Sequence, residues 1–288
     1  MTPGRGTRIS TDEALARPPL PATATVPYGP SPRQTAELRL PETPGPHPVV
    51  VVVHGGCWRS IADRRYMQGV AADLVRHGWA TWNLEFRRAD DAGGGWPGTF
   101  LDVAEGTDHL RAVAPGFGLD VGRVAALGHS SGGHLALWLA ARRGSASGSL
   151  LSAPDPLPLR GAVSLAGIAD LAHFQRLDER ACHGGVELLL GAPPEEVPER
   201  LASADPGHLL PLGVPQLLVH GAEDADVPPA HAEAYRERAL AAGDDVDLSL
   251  VAGAGHFEVV APWWEGWPAV RGRILAFLTR VAATRTVT

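Results

Sequence analysis

The chain contains no lysine: all 25 of its basic residues are arginine. That absence excludes Schiff-base chemistry, a Ser–Lys dyad and a P-loop, each of which needs a lysine amine. Cysteine is nearly as scarce. Cys57 and Cys182 are too few for a disulfide framework or a thiolate zinc site, and they read as free thiols suited to a reducing compartment. No apolar run approaches the roughly 18 residues of a spanning helix, and the opening MTPGRGTRISTDEALARPP has no apolar stretch of signal-peptide length. The expectation is a cytoplasmic protein that does not enter membranes. Basic runs are missing too. With a formal net charge of −7 and both signs mixed along the chain, the footprint of a nucleic-acid binder is absent. No H-E-x-x-H or similar ligand pair occurs, so no metal is expected.

What is present is ordinary for a globular enzyme: 288 residues, 44 % hydrophobic and 20 % charged. Residues 1–36 are rich in Pro, Thr and Ser and show no period, which predicts a loosely structured arm. From residue 37 the pattern becomes regular, and residues 37–288 read as one α/β domain. Pro48–His54 is a continuous β-branched run bounded by Pro and Gly-Gly, as a central strand of a parallel sheet requires. Further strands are expected at Glu37–Leu40, Trp79–Leu84, Arg123–Leu127, Gly161–Leu165, Gln216–His220 and Val246–Val251. Helices are expected at Arg64–His77, Thr99–Val113, Leu135–Arg143, Pro229–Ala242 and Trp267–Val281. This alternation implies right-handed crossovers and a mostly parallel sheet with helices on both faces. Between about 168 and 205 the pattern breaks into short helical pieces, a candidate lid.

Gly128-His129-Ser130-Ser131-Gly132-Gly133 lies between a strand and a helix. A serine on so tight a turn needs glycines beside it, and a helix starting just after it aims N–H groups at a reacting carbon. Ser130 is therefore the candidate nucleophile. A serine hydroxyl needs a base. On such a fold the acid and histidine follow the serine in the order Ser, Asp, His. The histidines at 134, 173, 183, 208 and 231 fall on helices or in the insertion. His256, glycine-flanked after a strand, remains. The turn Gly221–Pro228 carries Glu223, Asp224 and Asp226; Asp224 is preferred, with Asp226 second and Glu223 third. The strand ending at Val53 delivers His54-Gly55-Gly56-Cys57-Trp58, whose glycines let N–H groups approach a substrate oxygen. Gly56 and Cys57, with Ser131 after the nucleophile, are the expected oxyanion donors, to within one position. Trp58, Trp96 and Phe257 are the candidate substrate-binding rings.

At these residues the chain resembles the α/β-hydrolase superfamily, and within it the branch of small bacterial carboxylesterases and kynurenine formamidase-like (arylformamidase-like) proteins. The matching pieces are His54-Gly55-Gly56-Cys57-Trp58, Gly128–His134, His220-Gly221-x-x-Asp224-x-x-Val227-Pro228 and Gly255-His256-Phe257. Their shared order carries more than any one of them. The resemblance implies an eight-stranded, mostly parallel sheet and acyl-enzyme hydrolysis of a small-molecule ester, or alternatively a formamide, without a cofactor. A non-catalytic ligand receptor on the same fold would have a broken triad. Cys57 stands where the family often has an aromatic or small residue, which leaves the backbone role intact. A hydrolase of this kind can form a homodimer.

Overall fold

The computed structural model describes residues 9–18, 20–144, 150–177, 182 and 184–283. Eight strands form one sheet: β1 (Ala24–Pro27), β2 (Thr35–Arg39), β3 (His47–Val53), β4 (Ala80–Leu84), β5 (Leu119–His129), β6 (Ala162–Leu165), β7 (Gln216–Gly221) and β8 (Val246–Val251). Their spatial order is β1-β2-β4-β3-β5-β6-β7-β8. Strand β2 runs antiparallel to β1 and β4, and the remaining pairings are parallel. This is the sheet implied by the resemblance. The helices are α1 (Thr11–Leu15), α2 (Gln68–Arg76), α3 (Gly98–Asp108), α4 (Leu110–Phe117), α5 (Ser131–Ala141), α6 (Leu171–Leu177), α7 (Gly185–Leu190), α8 (Pro198–Ala204), α9 (Pro229–Ala241) and α10 (Trp267–Ala283).

The valine run at the centre shows why the sheet is covered twice. Side chains alternate across a strand. Accordingly Val49, Val51 and Val53 join the core beneath α3, α4, α5 and α9, while Val50 and Val52 join the core beneath α2 and α10. All five are fully buried. Helix α5 is buried along its whole length, because the sheet lies on one side while Phe100 of α3 and the end of α8 meet His134 and Trp138 on the other. That insertion, between β6 and β7, holds α6, α7 and α8. Its two feet meet at the buried Asp205 carboxylate, which accepts from the Leu171 N–H (3.0 Å) and the Gly207 N–H (3.0 Å).

Three expectations need correction. Part of the arm is ordered: β1 pairs with β2 from Ala24 opposite Leu38 to Pro27 opposite Thr35. An edge strand draws its order from the neighbouring backbone, so its half-exposed side chains gave little signal. The helix expected over 99–113 divides at His109 into α3 and α4. The cysteines are not free thiols. Cys57 and Cys182 form a disulfide with Cα atoms 5.2 Å apart across a sequence separation of 125. The pairing exists because the insertion folds back onto the loop after β3, which spacing along the chain does not reveal. Disulfides persist in oxidising surroundings, so the thiol argument for a reducing compartment falls. Among the described residues, no helix is long and apolar enough to cross a membrane.

Burial predicts unequal costs for equal truncations. Val51→Ala, in the fully buried strand, should lose about 2–3 kcal/mol of unfolding free energy. Val26→Ala, on the half-exposed edge strand, should lose under about 1 kcal/mol. Urea unfolding of the two variants checks the difference.

Candidate active site

Ser130 is the one residue between β5 and α5, with φ 55° and ψ −124°, a backbone conformation that costs a non-glycine residue about 1–3 kcal/mol. Its surroundings over-determine it. The Ser130 N–H donates to the Leu165 carbonyl (2.9 Å), and its own carbonyl accepts from Gly133 (2.9 Å), Ile168 (3.2 Å) and His134 (3.3 Å). The glycines permit backbone-to-backbone contact. A Cβ at Gly128 would strike the Gly132 carbonyl, and one at Gly132 would strike the carbonyls of Val53 and His54.

Among the three acids of the turn after β7, Asp224 is the one joined to His256: its Oδ2 lies 2.7 Å from His256 Nδ1. Asp224 Oδ1 accepts the N–H groups of Asp226 and Val227, both at 2.9 Å. Burial alone would raise this carboxyl, but hydrogen bonding from His220 and His256, with the Val227 N–H, holds it well below the usual range. Asp226 is exposed, and the Glu223 N–H donates to the Ala254 carbonyl (3.0 Å). Sequence reasoning quoted His220 in a motif without giving it a role; it donates from Nε2 to the Val227 carbonyl (2.8 Å) and lies 3.4 Å from Asp224 Oδ2. The spacing His220-x-x-x-Asp224 was its signal.

A buried relay joins the segment after β3, the end of β5 and the loop after β8. The Gly55 N–H donates to the Tyr66 hydroxyl. Tyr66 lies 3.1 Å from His129 Nδ1, and His129 Nε2 lies 2.9 Å from the His256 carbonyl. A carbonyl only accepts, so His129 carries its proton on Nε2 and takes Tyr66 O–H on Nδ1. Burial, and then the charge of nearby His256, push His129 down to about 3, so the ring is neutral. No sequence signal marked Tyr66, which meets its partner 63 positions away.

The relay also sorts the N–H groups of the loop after β3. Gly55 is engaged by Tyr66, Trp58 donates to Ser131 Oγ (3.2 Å), and Arg59 donates to the Gly56 carbonyl (2.8 Å). The N–H groups of Gly56 and Cys57 are left without a partner among the described residues. Gly56, Cys57 and Trp58 all have positive φ (107°, 54° and 56°). The start of the loop is braced by charge: His54 Nε2 lies 3.1 Å from Glu85 Oε1, and Arg88 Nη1 donates to the same oxygen at 2.7 Å. Burial would raise the Glu85 carboxyl, yet His54, Arg88 and the Arg64 N–H together hold it at about 2.

The expected substrate rings divide. Trp58 is 1 % exposed and spends its indole N–H on His134 Nδ1 (3.1 Å). It is a core residue, and its candidacy as a pocket wall is withdrawn. His134 in turn donates from Nε2 to the Ala204 carbonyl (2.9 Å). Trp96 braces the glycine-rich rim against the insertion, its ring lying under Arg200 and its Nε1 3.4 Å from Ser203 Oγ. Phe257 is half-buried, its ring edge-on to that of His256 at 5.2 Å. His183 lies outside the described residues. Among the described residues, one trio of metal-ligating groups converges, Asp224, Asp226 and His256. Two of these are already bonded to each other at 2.7 Å, so a cation there would have to break the Asp224–His256 hydrogen bond.

Comparison with known proteins agrees with this architecture. The profile of the BD-FAE family matches residues 37–238. Two Mycobacterium tuberculosis proteins are similar in sequence: esterase LipC, 28 % identical over 80 % of this chain and 58 % of its own length, and esterase LipQ, 25 % identical over 74 % and 51 %. The chain thus spans little more than half the length of these curated relatives. Esterase B from Lactobacillus rhamnosis superposes with a TM-score of 0.78 at 20 % identity, covering 90 % of this chain and 85 % of that one. A truncated carbohydrate esterase from gut microbiota gives 0.76 at 20 % identity, covering 90 % and 95 %. At these identities the superpositions show a shared fold.

Two predictions come from the buried polar groups. Tyr66→Phe removes the centre of the relay and leaves the Gly55 N–H and His129 Nδ1 unpaired; a loss of about 1–3 kcal/mol is expected in chemical denaturation. The second concerns acid. Burial pushes His134 down to about 4 and His129 to about 3. His231, which accepts the Ala169 N–H at 2.9 Å, is pushed to about 3 by burial and then by His173. An unfolded histidine titrates near 6.5, so below that pH the unfolded chain binds more protons. The stability these rings contribute is complete above about pH 6.5 and is lost as pH falls toward 3, at up to about 4 kcal/mol per pH unit where all three act. Urea midpoints measured from pH 7.5 to 4.5 should fall; a constant midpoint contradicts the assignment of neutral rings.

Proposed function

Because the chain belongs to the BD-FAE family and has the α/β-hydrolase fold, we propose that it hydrolyses a small carboxylic ester with Ser130, His256 and Asp224. The observation that carries this reading is the 2.7 Å bond between Asp224 and His256 Nδ1, made on the same sheet edge as a strained serine at a strand-to-helix turn. The esterase names of both mycobacterial relatives support it.

Asp224 holds the proton on Nδ1 and leaves Nε2 of His256 as the base. Ser130 Oγ attacks the ester carbon while its proton passes to Nε2. The carbonyl oxygen becomes an oxyanion, for which Gly56, Cys57 and Ser131 supply N–H groups. The intermediate collapses, His256 gives its proton to the leaving alcohol, and an acyl-Ser130 remains. Water then attacks the acyl carbon by the same route and releases the acid. Asp224 stays ionised throughout and stabilises the imidazolium, in keeping with the low range in which its partners hold it. Phe257, beside the base, is the ring best placed to meet the substrate.

Turnover of short-chain p-nitrophenyl esters and of N-formylkynurenine by the purified chain tests this. Ester cleavage should dominate, vanish in Ser130→Ala, and drop about 10⁴-fold in kcat for Asp224→Asn, as loss of the acid does in other triads. Faster release of formate from N-formylkynurenine would move the reading to a formamidase. Equal activity in Ser130→Ala, or no turnover of either substrate, would overturn it.

A further inference from the structure

The segment expected to hold an oxyanion is anchored on both sides of the two unpaired N–H groups. Before them, Gly55 is tied by its N–H to Tyr66. After them, Trp58 is tied by its N–H to Ser131 Oγ (3.2 Å), by its carbonyl to the Ala89 N–H (2.7 Å) and by its indole to His134 (3.1 Å). Between these anchors lie Gly56 and Cys57. Glycine tolerates positive φ freely, whereas Cys57 at φ 54° does not. A side chain held in the left-handed region persists only where its surroundings enforce it. What holds the Cys57 side chain is its sulfur bond to Cys182.

The other end of that bond is a firm mount. Cys182 lies three positions before Gly185, the first residue of α7, whose Val186, Leu189 and Leu190 are buried in the larger core. The Leu189 carbonyl accepts the Trp96 N–H (2.6 Å), and the Leu190 carbonyl accepts Arg200 Nη1 (2.8 Å). Gly185 lies so close that a Cβ there would sit 2.9 Å from the Cys57 carbonyl oxygen and 3.3 Å from the Trp58 ring. The link therefore transmits the rigid placement of α7 to the strained backbone of Cys57.

We propose that the Cys57–Cys182 disulfide is a positioning element for the oxyanion site: it holds the Cys57 N–H in register with the nucleophile, so that full activity requires the oxidised pair. This rests on the ester-hydrolase reading above. Cys182 acts through Cys57 and touches no reacting atom. When the bond opens, Cys57 is free to relax to negative φ and turn its N–H away. The nucleophile, base and acid stay in place, since none of their hydrogen bonds passes through either sulfur.

The test compares oxidised and reduced protein without denaturant. A phosphine reductant donates two electrons to the sulfur pair and takes the oxygen of one water to become the phosphine oxide, while that water's two protons end on the two sulfurs as thiols; thiol titration confirms completion. Reduction should lower kcat for a p-nitrophenyl ester about 10–100-fold, a displaced donor costing less than a deleted one. KM should stay within about threefold, since ground-state binding does not depend on this donor. Activity should return on reoxidation. Cys182→Ala should match the reduced wild type, and Cys57→Ala/Cys182→Ala should lose no more than the single variant. Amide hydrogen exchange supplies a readout free of turnover. The peptide spanning Gly55–Arg59 should exchange faster on reduction, and the peptide spanning Gly128–Gly133 should not. Unchanged kcat in fully reduced protein, or unchanged exchange at Gly55–Arg59, overturns the proposal, as does a loss of kcat matched by unfolding in circular dichroism. If the oxidised chain cleaves no ester, the functional reading has failed, and the exchange arm still decides whether the bond holds the loop.

Discussion

The relay from Gly55 through Tyr66 and His129 to the His256 carbonyl is the constraint on which the site's geometry depends. Val53 stands opposite Gly128, so the sheet register sets the ends of β3 and β5 side by side, and His129 is itself the last residue of β5. To that ring the relay ties the segment after β3, which holds Gly55 and Tyr66, and the loop after β8, which holds His256, and its donors and acceptors admit one arrangement only. A proton moved anywhere along it leaves a buried group unpaired, at a cost that the low local dielectric enlarges. The ring of His129 also lies 4.7 Å from that of His256. In the proposed reaction His256 becomes an imidazolium, and a second charged ring at that distance would oppose it. Burying His129 as a neutral ring therefore completes the relay and, in that proposed reaction, keeps a competing cation away from His256.

The strained serine depends on the same economy of backbone contacts. Its carbonyl is where α5 and the insertion both begin, because Gly133, His134 and Ile168 all donate to it. The insertion leaves from the backbone of Ser130 and returns to the sheet through Asp205. A shift of the insertion would thus be felt at Ser130, which explains why so long an excursion between β6 and β7 is stapled at both feet rather than hung as a free loop.

Local patterns were legible wherever the physics is local. The valine run is a strand because its side chains have two cores to enter, and the strands from β2 to β8 lie within a few residues of where the apolar runs put them. Ser130, Asp224 and His256 were legible because glycines mark tight turns at strand ends, where neighbouring backbone excludes a Cβ. What stayed hidden joins distant positions. Tyr66 meets His129, Cys57 meets Cys182, and β1 is ordered by β2; none leaves a period or a spacing behind. Trp58 was misread for a related reason. A tryptophan beside a glycine loop has the same sequence signature whether its ring faces the pocket or the core, and here the His134 acceptor draws it inward.

That inward turn narrows what can recognise a substrate. Trp58 is committed to His134, the Cys57 sulfur to Cys182, and the Gly55 N–H to Tyr66. The loop after β3 therefore offers a substrate little besides the backbone N–H groups of Gly56 and Cys57. Backbone N–H groups stabilise any oxyanion alike and cannot distinguish one acyl or alcohol group from another. On the proposed reading, discrimination then falls to side chains on other elements, with Phe257 beside His256 the nearest ring. On that reading the strand-end segments, tied by neutral hydrogen bonds and a buried ion-pair cluster at Glu85, carry the chemistry, and the bond from Cys57 to Cys182 in the insertion is what would keep the loop after β3 in register with Ser130.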